Sequence, residues 1–429
     1  MDQIFKIIQR EKQRQKEQLE MIPSENFASA QVMRAVGSCL MNKYAEGYPN
    51  RRYYQGNANI DQIESLCQER VLKAFKLSDK AWGVNVQPHS GCEANLAVYN
   101  ALLKAGDKIM SMYLPDGGHL SHGWHMPGRK ITFVSKVFKV QFYHVDKKSL
   151  VFDYDQIAKQ AEKYRPQLII SGGTAYPREI NYQRLSQIAH QVGALYLADV
   201  AHEAGLIAAG AMKPPFPFAD VVTFTTHKTW RGPRGAVIIA RKELIDKINF
   251  SIIPGLQGGP HLHTIAGIGV AAAELMSPRF RQYARQVVKN ARVLAAELKK
   301  KGLNIVSGGT DKHLVLIDLR NKNLTGWVAA WALEMAGIIA NRNTVPYDTG
   351  SPFYPSGLRL GTPALTTRGM KEKEMKLISG WIASVIEYLQ GKKLNNNQQT
   401  IDWLRRDKFL KELKAKVTAL AKRFPLPGL

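Results

Sequence analysis

Cysteine is scarce in this sequence: 429 residues contain three, Cys39, Cys67 and Cys92. They show no C-x-x-C spacing and no paired framework. A disulfide scaffold and a structural zinc site are therefore not expected, and a reducing, cytoplasmic setting is. Long apolar runs are missing as well. No uninterrupted stretch approaches the roughly twenty apolar residues of a membrane-spanning helix. The first residues, MDQIFKIIQREKQRQKEQLEM, mix both charge signs and do not read as a signal peptide. Acidic residues are outnumbered, 35 against 60 basic ones, which leaves a net charge of +25. Such a charge can attract nucleic acid, anionic lipid or anionic small molecules. The basic residues are spread along the chain and are not interleaved with aromatics in one stripe, so a generally basic surface is the plainer reading. Nucleic-acid binding has only the net charge behind it.

What is present fits an ordinary globular protein, with 45% hydrophobic and 22% charged residues. The length suggests about two or three domains and a core that needs no covalent staples. Residues 1–20 pattern as a charged helical arm, with Ile4, Ile7 and Ile8 as docking points. Ile60–Phe75 is also helical in pattern. Short apolar strands then alternate with amphipathic segments. The strands are expected at Lys108–Tyr113, Lys130–Ser135, Gln167–Ser171, Ala194–Asp199, Val221–Thr225 and Ala236–Ala240, with helices at Tyr154–Tyr164 and Tyr182–Gln191. This alternation implies α/β layers around a largely parallel sheet. After about residue 275 the pattern changes. A long helix at Arg281–Lys301, a strand at His313–Leu319, a helix at Thr325–Met335 and a final basic helix at Trp403–Arg423 suggest a smaller α+β domain. The expected division is 1–20, 21–277 and 278–429.

Four segments carry chemistry. Lys228 follows a strand and precedes the turn Arg231-Gly232-Pro233-Arg234-Gly235. A lysine at a strand end, inside a cavity, can lose its proton and attack a carbonyl; an exposed loop lysine is the plain alternative. Asp199 ends a central strand, where ligands of open α/β sheets gather. It can pair with a protonated pyridine nitrogen or simply cap a helix. Pro88-His89-Ser90-Gly91-Cys92-Glu93 opens a helix whose free N–H groups can hold a phosphate; Ser90 as a mere N-cap is the alternative. His119, His122 and His125 have a tempting metal spacing, but no cysteine or acidic cluster joins them. No metal is expected, and an imidazole here can stack on an aromatic ring instead. A phosphate turn, a strand-end aspartate and a strand-end lysine together point to an aldehyde cofactor that carries a phosphate, pyridoxal phosphate.

Further segments resemble the serine hydroxymethyltransferase family. They are Ile22-Pro23-Ser24-Glu25-Asn26-Phe27, Asn42-Lys43-Tyr44-Ala45-Glu46-Gly47-Tyr48-Pro49, Arg52-Tyr53-Tyr54, Gly117-Gly118-His119-Leu120, Thr226-His227-Lys228-Thr229, Leu256-Gln257-Gly258-Gly259-Pro260, Ser351-Pro352-Phe353 and Gly357-Leu358-Arg359-Leu360-Gly361-Thr362-Pro363-Ala364. The resemblance spans about residues 15 to 390. It implies a fold-type-I pyridoxal-phosphate transferase: a large domain with a mostly parallel seven-stranded sheet and a smaller C-terminal domain. It also implies a homodimer with active sites shared between subunits, or a tetramer.

Carried across, the family's roles make Lys228 the covalent anchor of the cofactor, within Thr226-His227-Lys228. Asp199 would meet the pyridine nitrogen, His119 would stack on the ring, and Thr174 and His202 would contact its phenolic oxygen. Ser90, Gly91 and Cys92 would hold the phosphate, with Tyr44, Gly258, Gly259 and Arg234 also reaching the cofactor. Tyr44, Gly258 and Gly259 would reach the phosphate from the neighbouring subunit. Arg359 would bind the substrate carboxylate as a bidentate fork, helped by Ser24 and Tyr54, with His202 also near the substrate. Glu46 of the partner chain would handle protons at the substrate hydroxyl. Leu114, Gly118, Leu120, Tyr53, Asn343, Ser351 and Phe353 would meet tetrahydrofolate, the co-substrate. Cys92 and Thr174 stand where the family commonly has serine. Pro23 replaces a small residue, Asn57 follows Gly56 where cysteine is common, and Glu203 replaces an apolar residue. The expected reaction is reversible transfer of the serine hydroxymethyl carbon to tetrahydrofolate. The nearest alternative is a folate-independent threonine or allo-threonine aldolase on the same scaffold.

Overall fold

The structure, a computed structural model, describes residues 2–428. The contacts divide the chain into two units, one of Ala28–Asp146 and Val151–Ala284, the other of Met1–Phe27, Lys147–Leu150 and Arg285–Leu429. The first unit is built on a seven-stranded sheet: β1 (Trp82–Asn85), β2 (Lys108–Met112), β3 (Lys139–Tyr143), β4 (Leu168–Ser171), β5 (Leu195–Asp199), β6 (Val221–Thr225) and β7 (Ala236–Arg241). Their spatial order is β1-β7-β6-β5-β4-β2-β3. Only β7 runs antiparallel to its neighbours, β1 and β6; the other pairs are parallel. The expected α/β class and mostly parallel sheet are therefore present. Strands β4 and β6 are buried throughout, which is why they read as continuous apolar runs rather than alternating ones. The flanking helices Tyr154–Tyr164 and Tyr182–Gln191 start at the N-caps Asp153 and Asn181 and bury Ile157 and Ala161, and Leu185, Ile188 and Ala189.

The sheet differs from the expectation at two edges. The segment 130–135 is not a strand. Thr132 accepts the N–H of Ser135 and starts a short helix, Phe133–Val137, leaving only Arg129–Lys130 extended. A local side-chain cap outweighs the β-branched composition there. The edge strand is instead β3, and β1 at the opposite edge was also not foreseen. Its sequence, WGVN, has too few residues to show a period.

The second unit contains a four-stranded antiparallel sheet of β8 (Asn304–Ile305), β9 (Leu314–Asp318), β10 (Asn341–Asn343) and β11 (Gly357–Gly361), in the order β8-β9-β11-β10. Val315, Ile317, Leu358 and Leu360 pack into one core with Leu294, Leu298, Leu333, Ile378, Ile382, Leu404 and Val417. Pro278 is the first residue of the long helix Pro278–Lys300, the position where its missing N–H costs nothing. The final basic segment is two helices, Gln398–Arg406 and Lys408–Lys422. Asp407, extended at φ −60°, ψ 130°, ends the first and caps the second.

The N-terminal segment joins this second unit rather than standing as a separate arm. Leu19–Glu20 pairs in parallel with Ile338–Ile339. Arg368, buried, donates to the carbonyl oxygens of Gln15, Lys16, Gln18, Ala421 and Phe424. One guanidinium thus satisfies the C-terminal ends of two helices, Gln3–Glu17 and Lys408–Lys422, where a cation also suits the helix dipole. Ile4, Ile7 and Ile8 do not dock within the chain. They are exposed, as is Phe5.

Candidate active site

Strands β1, β2, β4, β5 and β6 all point their C-terminal ends toward one edge of the sheet, and the chemistry-bearing segments follow those ends. The segment Ser90-Gly91-Cys92 lies beyond β1, Gly117-Gly118-His119 beyond β2, and Gly172-Gly173-Thr174 beyond β4. Asp199 ends β5, and Thr225 ends β6 three residues before Lys228. Together Ser90, Gly91, Cys92, His119, Gly173, Thr174, Asp199, Ala201, His202, Thr225, His227 and Lys228 line one cavity of about 210 Å³. Strands β4 and β5 end close together because Gly172, at φ +118°, brings its Cα where a Cβ would stand 2.1 Å from the Asp199 carbonyl oxygen.

Asp199 is the best-braced group. Its Oδ2 accepts from Asn95 Nδ2 (2.9 Å) and pairs with His122 Nε2 (3.0 Å), and its Oδ1 accepts the N–H of Ala201 (3.0 Å). Burial alone would raise this carboxyl. The hydrogen bond and charge of His122, with His119 and Asn95 beyond, hold it well below the usual carboxylate range. Asn95 is itself fixed, accepting from Thr223 Oγ1 (2.6 Å) and donating to Ser121 Oγ (2.9 Å). His119 Nδ1 accepts the N–H of Ser121 (3.2 Å) and meets Ser121 Oγ at 2.7 Å, so its proton is placed on Nε2. Asn95, Ser121 and Thr223 were not picked out as functional residues in the sequence, and His122 was considered only as a metal ligand or a ring-stacking imidazole, not as the brace of Asp199 that it is. The signal that could have found one of them is Asn95, a buried polar residue beside Ala94, Ala97 and Val98 on its helix.

The lysine loop is held at both ends. Thr226 donates its hydroxyl to the Pro233 carbonyl (2.6 Å), and Gly232 N–H returns to the Thr226 carbonyl (2.7 Å). Thr229 Oγ1 donates to the His202 carbonyl (2.9 Å) and accepts from Gly205 N–H (3.1 Å). Lys228 and His202 are thereby set on one clamp, and both are buried; Lys228 is not a solvated loop lysine. Ser90 does cap its helix, accepting Glu93 N–H at 3.4 Å. The cap leaves the N–H groups of Gly91 and Cys92 without intrahelical acceptors.

Other expected site residues form a second group on the same unit. Tyr44, Tyr53 and Tyr54 stack edge to face at 5.2 Å, all exposed. Tyr44 Oη donates to Glu46 Oε1 (3.1 Å). A Cβ at Gly259 would stand 2.9 Å from the Tyr44 ring, and one at Gly258 3.1 Å from Glu46 Oε1. Asn57 donates to the Tyr54 carbonyl (2.8 Å). None of these residues lines the Lys228 cavity, nor does the exposed Arg234. Leu114, Gly118 and Leu120 lie on the turns after β2.

In the other unit, Arg359 is buried at the centre of β11, opposite Asn341, whose Oδ1 accepts from Arg359 Nε (3.0 Å). Gly361 N–H donates to the Met21 carbonyl (2.6 Å), and a Cβ there would meet Pro23 Cα at 2.4 Å, so only glycine lets the Ser24 segment run alongside this strand. Asn343 ends β10, and Ser351 and the exposed Phe353 follow it.

A family model described as serine hydroxymethyltransferase matches residues 1–382. The chain belongs to this family. It is 50% identical over 425 residues to a serine hydroxymethyltransferase of Methanosarcina barkeri, covering 99% of this chain and 97% of that protein. It is 43% identical to the mitochondrial serine hydroxymethyltransferase of Kluyveromyces lactis (99% and 90% covered). It is 46% identical to chloroplastic serine hydroxymethyltransferase 3 of Arabidopsis thaliana (99% and 83% covered). A fold-type-I architecture, pyridoxal phosphate and tetrahydrofolate come with membership of the serine hydroxymethyltransferase family.

The cavity fits pyridoxal phosphate. A phosphate has the helix start at Gly91–Cys92, where a Cβ on Gly91 would stand 2.5 Å from Thr225 Cγ2. Thr225 Oγ1 is buried with no protein partner, which suits a polar ligand. Asp199 remains ionised, and its carboxylate has about four acceptor positions, three of them used within the chain. The departures do not disturb this. Cys92 keeps its backbone N–H, and Thr174 keeps a hydroxyl, which donates to the Gly118 carbonyl (2.9 Å). Glu203 is buried.

His227 supplies a pH test. Burial, then the charges of Lys228 and Arg234, pull its pKa down to about 3, and its Nδ1 is buried without a partner. The unfolded chain binds this proton below about pH 6.5, and the folded one does not. The stabilising difference is therefore complete above that pH and is lost as pH falls toward 3. Between pH 7 and pH 4.5 the cofactor-free protein should lose about 3 kcal/mol more unfolding free energy than His227→Gln. Urea denaturation at the two pH values measures this, and equal losses would refute it.

Proposed function

We propose that this chain transfers the hydroxymethyl carbon of serine to tetrahydrofolate, reversibly, giving glycine, 5,10-methylenetetrahydrofolate and water. The observation that carries the reading is the single cavity that Asp199 and Lys228 share with His119, Thr174 and His202, on adjacent strands. Lys228 would anchor the cofactor aldehyde, Asp199 would pair with the ring nitrogen, His119 would stack on the ring, and the Ser90–Cys92 turn would hold the phosphate. Bound there, pyridoxal phosphate supplies an electron sink for a carbanion. Arg359 grips the serine carboxylate, helped by Ser24 and Tyr54. Glu46 takes the proton of the serine hydroxyl as the Cα–Cβ bond breaks. The electron pair stays on Cα, which takes up a proton to give glycine, while the one-carbon fragment bonds to the two folate nitrogens and its oxygen leaves as water. The turns carrying Leu114, Gly118 and Leu120, with Tyr53, Asn343, Ser351 and Phe353, are the proposed folate contacts.

The working form is proposed to be a homodimer in which Tyr44, Glu46, Gly258 and Gly259 complete the partner's cavity, with Tyr44, Gly258 and Gly259 reaching the partner's cofactor phosphate. In support, these residues cluster with the exposed tyrosines and lie outside their own chain's cavity. The three cysteines are free, which suits the proposed cytoplasmic setting; no helix among the described residues is long and apolar enough to cross a membrane.

A mixing experiment tests both halves. Lys228→Ala and Glu46→Gln homodimers should each convert serine and tetrahydrofolate far more slowly than wild type. Unfolded and refolded together in equal amounts, half of the dimers pair one variant with the other. Each of these has one intact composite site, so about a quarter of wild-type turnover should return. No recovery would place Glu46 within its own chain's site. Turnover of allo-threonine without folate, and none of serine with it, would favour the aldolase.

A further inference from the structure

The two segments that the proposed function assigns to phosphate lie side by side in one chain, joined by a built contact that the reaction itself does not use. Gln257, buried, immediately precedes Gly258–Gly259. Its Nε2 donates to the Gln87 carbonyl (3.0 Å) and to His89 Nε2 (2.9 Å). His89 Nε2 must then be unprotonated, which puts the ring proton on Nδ1, 3.6 Å from the Glu93 carboxylate. The same carboxylate accepts the backbone N–H of His89 (3.0 Å). His89 directly precedes the Ser90-Gly91-Cys92 turn. On the open face of His89 the ring of His261 lies flat, with centroids 3.9 Å apart and planes within 7°. His261 sits two residues after Gly259, so the bond and the stack bracket the diglycine from both sides. Burial holds both imidazoles below their ordinary pKa, which keeps the stacked pair neutral.

We infer that Gln257, His89 and His261 are positioning residues that fix Gly258–Gly259 to the phosphate turn. One rigid unit then sets both a chain's grip on its own cofactor phosphate and its contribution to the partner's. The inference rests on the assignment of these two segments to phosphate under the proposed function. It makes a claim that a general structural role does not. Loosening the unit should cost affinity for the phosphate-bearing cofactor and leave affinity for the same ring without phosphate unchanged.

The test titrates the cofactor-free protein with pyridoxal phosphate and, separately, with pyridoxal, following absorbance. His261→Ala removes an exposed ring, so the fold should survive. Its Kd for pyridoxal phosphate should rise about fivefold, the worth of one aromatic pair, with the pyridoxal Kd within twofold of wild type. His261→Phe restores a flat ring and should restore the affinity. Gln257→Met removes both hydrogen bonds and should raise the pyridoxal phosphate Kd at least about tenfold, with the same selectivity. Equal weakening of both ligands, an unchanged ratio, or no rescue by phenylalanine would overturn the inference while leaving the proposed function intact. A wild-type protein with no preference for pyridoxal phosphate over pyridoxal would instead refute the phosphate assignment, and the inference with it.

Discussion

Lys228→Ala should reduce steady turnover of serine with tetrahydrofolate by about 10³-fold or more, near the top of the range for loss of a single proton-transferring group. The expectation follows from placement. Lys228 is buried, lines the cavity beside Asp199 and His202, and sits on a loop closed by Thr226 and Thr229. Among the described residues no other lysine lines that cavity. Borohydride should fix the cofactor to the wild-type protein and release none on denaturation, whereas the variant should release all of it. The fold should remain, because Thr226 and Thr229 hold the loop. Turnover within tenfold of wild type, or borohydride labelling of the variant, would show that another amine does this work.

How much of this was legible in the sequence depends on the range of the interaction involved. Asp199 and Lys228 could be read because each follows an apolar run that announces a buried strand, and such strands deliver their last residues to one edge. The braces of Asp199 could not. Asn95 and His122 reach it from a helix and a turn 104 and 77 residues away in sequence, and no local pattern encodes such a meeting. The strand misread at 130–135 has the opposite cause. Its β-branched residues were visible, but one hydroxyl, that of Thr132, decided for a helix. Arg368 was silent for a related reason. Its five carbonyl partners come from two chain ends, so nothing near position 368 marks it. The exposed Ile4, Ile7 and Ile8 show the limit of periodicity, which reports an apolar stripe but not what covers it. Arg359 and the tyrosine group around Glu46 were assigned only through family resemblance, since a strand arginine and a surface tyrosine are unremarkable by themselves.

Arg359→Lys should raise the KM for serine by about 10- to 100-fold, with a smaller change in kcat. The substitution keeps the charge, so the argument turns on shape. Burial lowers the guanidinium only to about 10, leaving it protonated at neutral pH, and Leu358 and Leu360 anchor the strand in the core on either side. Asn341 holds Nε from the neighbouring strand, so the plane of the fork is oriented before substrate arrives. A carboxylate then meets two parallel donors. An ammonium offers a point charge and has no Nε for Asn341 to orient. Hydrogen bonds to charged groups contribute about 1.5–3 kcal/mol each, so the loss of one sets the expected range. Cofactor affinity should not move, because neither the phosphate turn nor Asp199 lies on this strand. The decisive comparison is glycine against glycinamide. The variant should bind glycine more weakly than wild type does but bind the amide, which has no carboxylate, equally well. Unchanged serine saturation, or equal weakening of glycine and glycinamide, would remove Arg359 from the carboxylate and leave its burial beside Asn341 as a purely structural feature.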